Sequence, residues 1–222
     1  MERLKKFIVI IGHYGSGKTT FALNLVLRLA DQGKNVTLAD LDIVNPYFRS
    51  SDYKDLLEKS GVRVLSPSFA GTTLDLPALP PEMYAQADSA ADHVIFDVGG
   101  DDAGAAAFGG VSKTLGETRD MQAVYILNRY RGFIKEPSDA LENLREIEAA
   151  ARIRATHCVN NSHLGHLTAP DDLMAGFAYA DEFSRLSGLP LLCTAVPDRL
   201  LDKITPERSD LFGVREIVAP PW

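Results

Sequence analysis

Cysteine is nearly missing from this chain: 222 residues contain two, Cys158 and Cys193. Each lies in an apolar run, Ala155–Val159 and Leu191–Val196, and neither belongs to a C-x-x-C pair. That pattern argues against a thiolate metal site and for buried, reduced thiols. Long apolar runs are missing too. No stretch approaches the roughly 20 residues needed to cross a bilayer. The charged start Met1–Lys6 leads into Phe7–Ile11, a run too short for a signal peptide. A basic surface is also missing. Lys and Arg number 23 against 30 Asp and Glu, a net charge of −7 with no Lys/Arg run, so direct binding to nucleic acid is not expected. These absences predict a soluble, cytoplasmic protein without a stable membrane anchor.

What is present is ordinary for a folded protein: 45% apolar and 24% charged residues. Continuous apolar runs predict strands at Phe7–Ile11, Val36–Ala39, Val62–Leu65, His93–Asp97, Ala123–Leu127, Ala155–Val159 and Leu191–Val196. Runs of this kind suit strands buried on both faces of a parallel sheet. Helical patterns lie between them at Thr19–Gln32, Asp52–Ser60, Ser138–Arg152 and Asp171–Ser187, three of them followed directly by glycine. The alternation predicts one doubly wound α/β domain spanning residues 1–222. Ser66–Pro81, with four prolines, reads as a long ordered loop. Asp101–Gly116, rich in Ala and Gly, reads as a mobile loop and helix beside the site.

The segment Gly12-His13-Tyr14-Gly15-Ser16-Gly17-Lys18-Thr19 fits G-x-x-x-x-G-K-[ST], between a predicted strand and a predicted helix. Glycines let backbone N–H groups turn inward around phosphate oxygens, and the helix start adds its positive end. Lys18 is expected on the β and γ phosphates and the Thr19 hydroxyl on Mg²⁺, with Thr20 beside them. Three carboxylates fall at strand ends, where ligands bind in an open parallel sheet. They are Asp40 and Asp42 in Asp40-Leu41-Asp42, and Asp97 in Asp97-Val98-Gly99-Gly100. Asp97 is placed as a metal-shell carboxylate. Gly99 or Gly100 would offer an N–H to the terminal phosphate.

In this order, Gly12–Thr20, Leu38–Phe48, Val94–Gly100 and Cys158–Asn161 resemble the MinD/ParA/ArsA group of P-loop NTPases. The resemblance covers roughly Phe7–Pro197. It implies an ATPase with Mg²⁺ that switches a protein partner, and a nucleotide-dependent homodimer. It gives Asp42 the positioning of the attacking water, Asp40 a place near the metal, and Asn160 or Asn161 a contact to adenine. The family's loop begins with a signature lysine that reaches across the dimer. Here that position is His13, and Arg129 or Arg131 is the substitute on offer.

ATP is favoured over GTP. A guanine reader would be Asn-Lys-x-Asp, and the corresponding segment is Asn160-Asn161-Ser162-His163. Three other uses of the loop stay open: a small-molecule kinase or ATP-dependent ligase, a GTP-using homologue, and a module that binds nucleotide without hydrolysis. In the switch reading, the Asp40–Arg49 and Gly99–Gly110 segments respond to hydrolysis. The pair His163 and His166 has the spacing of two metal ligands, without a third in range.

Overall fold

The computed structural model describes the chain except residues 1–3, 43–48, 68–78, 101, 116–119, 133, 205–207 and 219–222. Much of the proposed switch segment 40–49 and of the proline-rich loop 66–81 therefore lies outside the described residues.

Among the described residues, eight strands form one parallel sheet: β1 (Phe7–Ile11), β2 (Val36–Leu41), β3 (Val62–Leu65), β4 (His93–Val98), β5 (Met121–Leu127), β6 (His157–Asn160), β7 (Leu191–Pro197) and β8 (Leu211–Val214). Their order is β3-β2-β4-β1-β5-β6-β7-β8. The helices are α1 (Lys18–Asp31), α2 (Lys54–Lys59), α3 (Pro81–Tyr84), α4 (Asp102–Leu115), α5 (Pro137–Ala151) and α6 (Pro170–Ser187). This is the doubly wound α/β fold of the P-loop NTPases.

The apolar runs are continuous because alternate residues enter two different cores. From β1, Phe7, Val9 and Ile11 join α4, α5 and α6 on one face, while Ile8 and Ile10 join α1 on the other. β5 divides in the same way, with Ala123, Tyr125 and Leu127 opposed to Val124 and Ile126. The first core includes Phe108, Leu144 and Phe183; the second includes Phe21, Leu25 and Phe212. On α5, Leu144 and Ala151 are buried, and Leu141 and Ile147 pack against the same core.

Three sequence expectations need correction. The sixth strand begins at His157, not Ala155, because Ile153 N and Ala155 N are used to close α5, donating to Glu148 O (3.2 Å) and Glu148 Oε1 (2.8 Å). The Ala/Gly segment is helical over Asp102–Leu115. Gly104 serves close packing there: a Cβ on it would stand 2.6 Å from Gly99 Cα. The apolar runs predict no strand beyond Leu191–Val196, yet β8 follows, parallel to β7. Gly213 belongs there because a Cβ would collide with Asp198 and with Leu201.

Candidate functional site

β1 stands between β4 and β5, and the chain leaves it toward β2 on one side and returns to β5 on the other. A crevice opens at such a switch point, outside the carboxyl ends of the strands. The phosphate loop fills it. Its glycines are required by contact as well as by dihedral angle. A Cβ on Gly12 would stand 2.8 Å from Ile126 O, and one on Gly17 (φ 87°) would enter the Asn161 amide. Ser16 N donates to His13 O at 3.1 Å, and Phe21 N opens α1 by donating to Gly17 O at 3.0 Å. Lys18 is 7% exposed, and its Nζ donates to His13 O at 3.1 Å, so the ammonium is held within the loop. The His13 ring folds back, its Nδ1 donating to Tyr14 O at 2.7 Å.

Beneath the loop, Asp40 and Asp97 are direct neighbours across β2 and β4. Both are buried, and they fare differently. Asp40 accepts Asp42 N at 3.0 Å and Ser51 N at 2.9 Å, clipping the end of β2 to the turn before α2. Neither oxygen of Asp97 has a hydrogen-bond partner of good geometry. Burial, then the nearby Asp40 charge, push the Asp97 carboxyl up to about 7; the Lys18 ammonium and Thr19 hydroxyl are close enough to oppose that rise. Burial also raises Asp40. A buried carboxylate short of partners, beside a lysine and a threonine hydroxyl, is the donor chemistry that a hard divalent cation completes. Gly100 closes this side: a Cβ there would stand 2.7 Å from both Lys18 Nζ and Tyr14 Cα.

The opposite wall is built from β6, β7 and β8. Gly165 N donates to His163 Nδ1 at 3.2 Å, which leaves the proton on Nε2. That Nε2 donates to Asn161 Oδ1 at 2.9 Å, and Asn161 Nδ2 donates to Ser16 O at 2.8 Å. The relay fixes both the histidine tautomer and the amide orientation. Burial, then the Arg131 charge, push His163 down to about 4. Both ring nitrogens of His163 are occupied and His166 Nδ1 faces Glu216 Oε1 at 3.3 Å, so the two histidines do not converge on a metal. Arg199 donates to the carbonyls of Gly165, His166 and Thr168 and holds that wall in place.

A cavity of about 640 Å³ runs between the two walls, within the range of small-molecule sites. Tyr14, Gly15, Gly17, Lys18, Thr19 and Thr20 line its floor, with Asp42, Gly100 and Asn161 at its sides. Gly12, His13, Ser16, Asp40, Asp97 and Asn160 are not among its lining. Asn160 is buried, its Oδ1 accepting Ser162 N at 3.1 Å, so Asn161 alone of the two faces the cavity. The two arginines also separate. Arg131 lines the cavity, whereas Arg129 Nη1 donates to Ala175 O at 2.8 Å on α6. The cavity is also lined by Pro197 at the end of β7, by Asp198 and Arg199 after it, and by Val214, Arg215, Glu216 and Val218 at the end of β8 and beyond it, none of them within a sequence motif. Their one signal in the sequence is the apolar pair Leu211-Phe212.

Among the described residues no helix is long and apolar enough to cross a membrane. Comparison with curated protein sequences gives no match. Several solved structures share the fold. Cell division protein FtsY of Thermotoga maritima aligns at 18% identity and TM-score 0.58, over 88% of this chain and 63% of that one. The signal recognition particle 54 kDa protein of Aeropyrum pernix K1, solved with GDP, aligns at 16% and 0.56, over 87% and 42%. FtsY of Elizabethkingia anophelis, also solved with GDP, aligns at 18% and 0.56, over 88% and 58%. The chain thus spans about two fifths to just under two thirds of these proteins. Residues 7–168 match the CobQ/CobB/MinD/ParA nucleotide binding domain, and with its phosphate loop at the switch point of a parallel sheet the chain belongs to that family of P-loop nucleotide-binding domains.

Proposed function

We propose that this protein binds Mg·ATP over the phosphate loop, hydrolyses it slowly, and uses the change of bound state to alter its grip on a protein partner. The observation that carries this reading is Asp97: a buried carboxylate without a hydrogen-bond partner, beside Lys18 and Thr19 on the cavity floor. Thr19 and Asp97 would hold Mg²⁺, with Asp40 adding charge from behind. The cation would neutralise charge on the outer phosphates. Lys18 leaves His13 O for the phosphate oxygens, and the loop's N–H groups supply the remaining donors. Asp42, at the cavity side, orients the attacking water. Gly100 brings a backbone N–H to the terminal phosphate, so that its segment reports whether that phosphate is present. Asn161 and the wall of Pro197, Asp198, Val214 and Val218 take the adenine. Self-association with bound nucleotide belongs to the same proposal, with Tyr14, 58% exposed, at the contact.

Guanine is the second reading, and one observation favours it. Asp198 and Glu216 both line the cavity, and a carboxylate can accept from the N1–H and amino group of guanine. Competition decides between the bases. ATP hydrolysis in the presence of Mg²⁺, measured with increasing GTP, should be little inhibited. Efficient inhibition by GTP with direct GTP hydrolysis would move the site to guanine. Turnover that requires an added metabolite would replace the switch by a kinase or ligase.

A further inference from the structure

Arg131 occupies a place that the sheet order defines. β4, β1 and β5 are consecutive, so Gly100 after β4 and Arg131 after β5 flank the phosphate loop on opposite sides. The Gly100 side holds the Lys18 ammonium. On the Arg131 side the cavity continues toward Asn161, Pro197 and Val214, at the ends of β6, β7 and β8. A nucleotide with its outer phosphates at Lys18 and its base among β6–β8 must pass Arg131 with the phosphates nearest its ribose.

The side chain already lies on the loop. A Cβ on Gly15 would stand 3.6 Å from Arg131 Cδ, 3.7 Å from Nε and 3.9 Å from Cζ, so the guanidinium stem covers the face that glycine leaves open. The turn that presents it is fixed from several directions. Asn128 Oδ1 accepts Tyr130 N at 3.0 Å, Arg131 N donates to Asn128 O at 3.3 Å, and Tyr130 Oη donates to Asp172 O at 2.8 Å on α6. Arg129 N is tied to Ser162 Oγ at 3.1 Å. The other arginines near the site are committed elsewhere: Arg129 to Ala175 O, Arg199 to three carbonyls, and Arg215 to Asp31 at 3.9 Å. The charge of Arg131 is also felt at His163, on the far side of the cavity.

We propose that Arg131 is a phosphate-binding residue of this chain's own site, its guanidinium closing over the phosphates nearest the ribose. It then sets affinity for nucleoside diphosphate and triphosphate alike and does not sense the terminal phosphate. The inference rests on the reading of this cavity as the nucleotide site. A planar guanidinium gives paired, charge-assisted hydrogen bonds to phosphate oxygens, which lysine reproduces in charge but not in geometry.

The test is calorimetric titration of ATP and ADP, with GTP and GDP in parallel, into wild type, Arg131→Gln and Arg131→Lys. Arg131 is exposed, so both variants should unfold at the wild-type temperature without nucleotide. Arg131→Gln should weaken triphosphate and diphosphate by the same factor, roughly ten-fold, leaving their ratio unchanged. Arg131→Lys should recover part of the loss. Wild-type affinities in Arg131→Gln, or a loss confined to the triphosphate, would overturn the inference while the nucleotide site stands. A wild type that binds none of the four overturns the site reading and this inference with it.

Discussion

Asn161 joins β6 to the phosphate loop: its Nδ2 donates to Ser16 O at 2.8 Å while its Oδ1 accepts from His163 Nε2 at 2.9 Å. The amide therefore spans two walls of the nucleotide cavity, and the neutral tautomer of His163 sets which way it points. Burial holds His163 near 4, below the ordinary value of 6.5.

The unfolded chain takes up the proton more readily than the folded one, so this stability is fully present above pH 6.5. It is lost as pH falls from there toward 4. At pH 5 the loss is about 2 kcal/mol, a fall in melting temperature of roughly 4–8 °C. His163→Gln, which keeps a donor for Asn161 and does not titrate, should lose less between pH 7 and pH 5. Melting curves of both proteins at the two values check this. Equal losses would assign the pH dependence to other groups.

Asp97 carries the opposite sign. A carboxyl raised from 3.8 to about 7 penalises the folded protein increasingly as pH rises through that interval, and fully above it. Asp97→Asn removes the buried charge. Without nucleotide and metal, at pH 8, the variant should be more stable than wild type by roughly 2–4 kcal/mol, with the gain shrinking as pH falls toward 4. The same variant should lose the Mg²⁺ dependence of nucleotide binding. A gain in stability together with a loss of metal response separates a site carboxylate from a structural one, because a structural one would destabilise on removal.

Most of the fold was legible because β1, β2, β4 and β5 are buried on both faces, and burial on both faces leaves a continuous apolar run. β8 was not legible: four residues with a glycine in third place look like a broken end. The need for Gly213 arises from Asp198 and Leu201, which only the fold brings near. The phosphate loop and the three aspartates could be placed because strand ends and the loop are local features. The division of labour between Asp40, which holds two backbone N–H groups, and Asp97, which holds none, depends on the turn at Ser51. The choice of Asn161 over Asn160, and of Arg131 over Arg129, depends on which side of a turn faces β1. Sequence spacing does not carry that information.

Gly100 stands against Lys18 and Tyr14, and an added methyl group there has no room. Gly100→Ala should leave the fold intact, since the site is at a loop, yet displace the Lys18 ammonium or the loop backbone. Nucleotide affinity should fall by about ten-fold or more, and hydrolysis by a larger factor if the Gly100 N–H serves the terminal phosphate as proposed. Steady-state hydrolysis with calorimetric affinities checks both numbers. Wild-type turnover in Gly100→Ala would remove that segment from the switch.

In the proposed function, the loop Gly12–Thr19 holds the phosphates of a bound nucleotide through Lys18. Titration of Mg·ATP into wild type and Lys18→Ala tests it most directly. Saturable, one-to-one binding to wild type is expected, with a loss of about 1.5–3 kcal/mol in Lys18→Ala, or ten- to a hundred-fold in affinity, in a variant that remains folded. Equal affinity in the two proteins, with the variant folded, would contradict it.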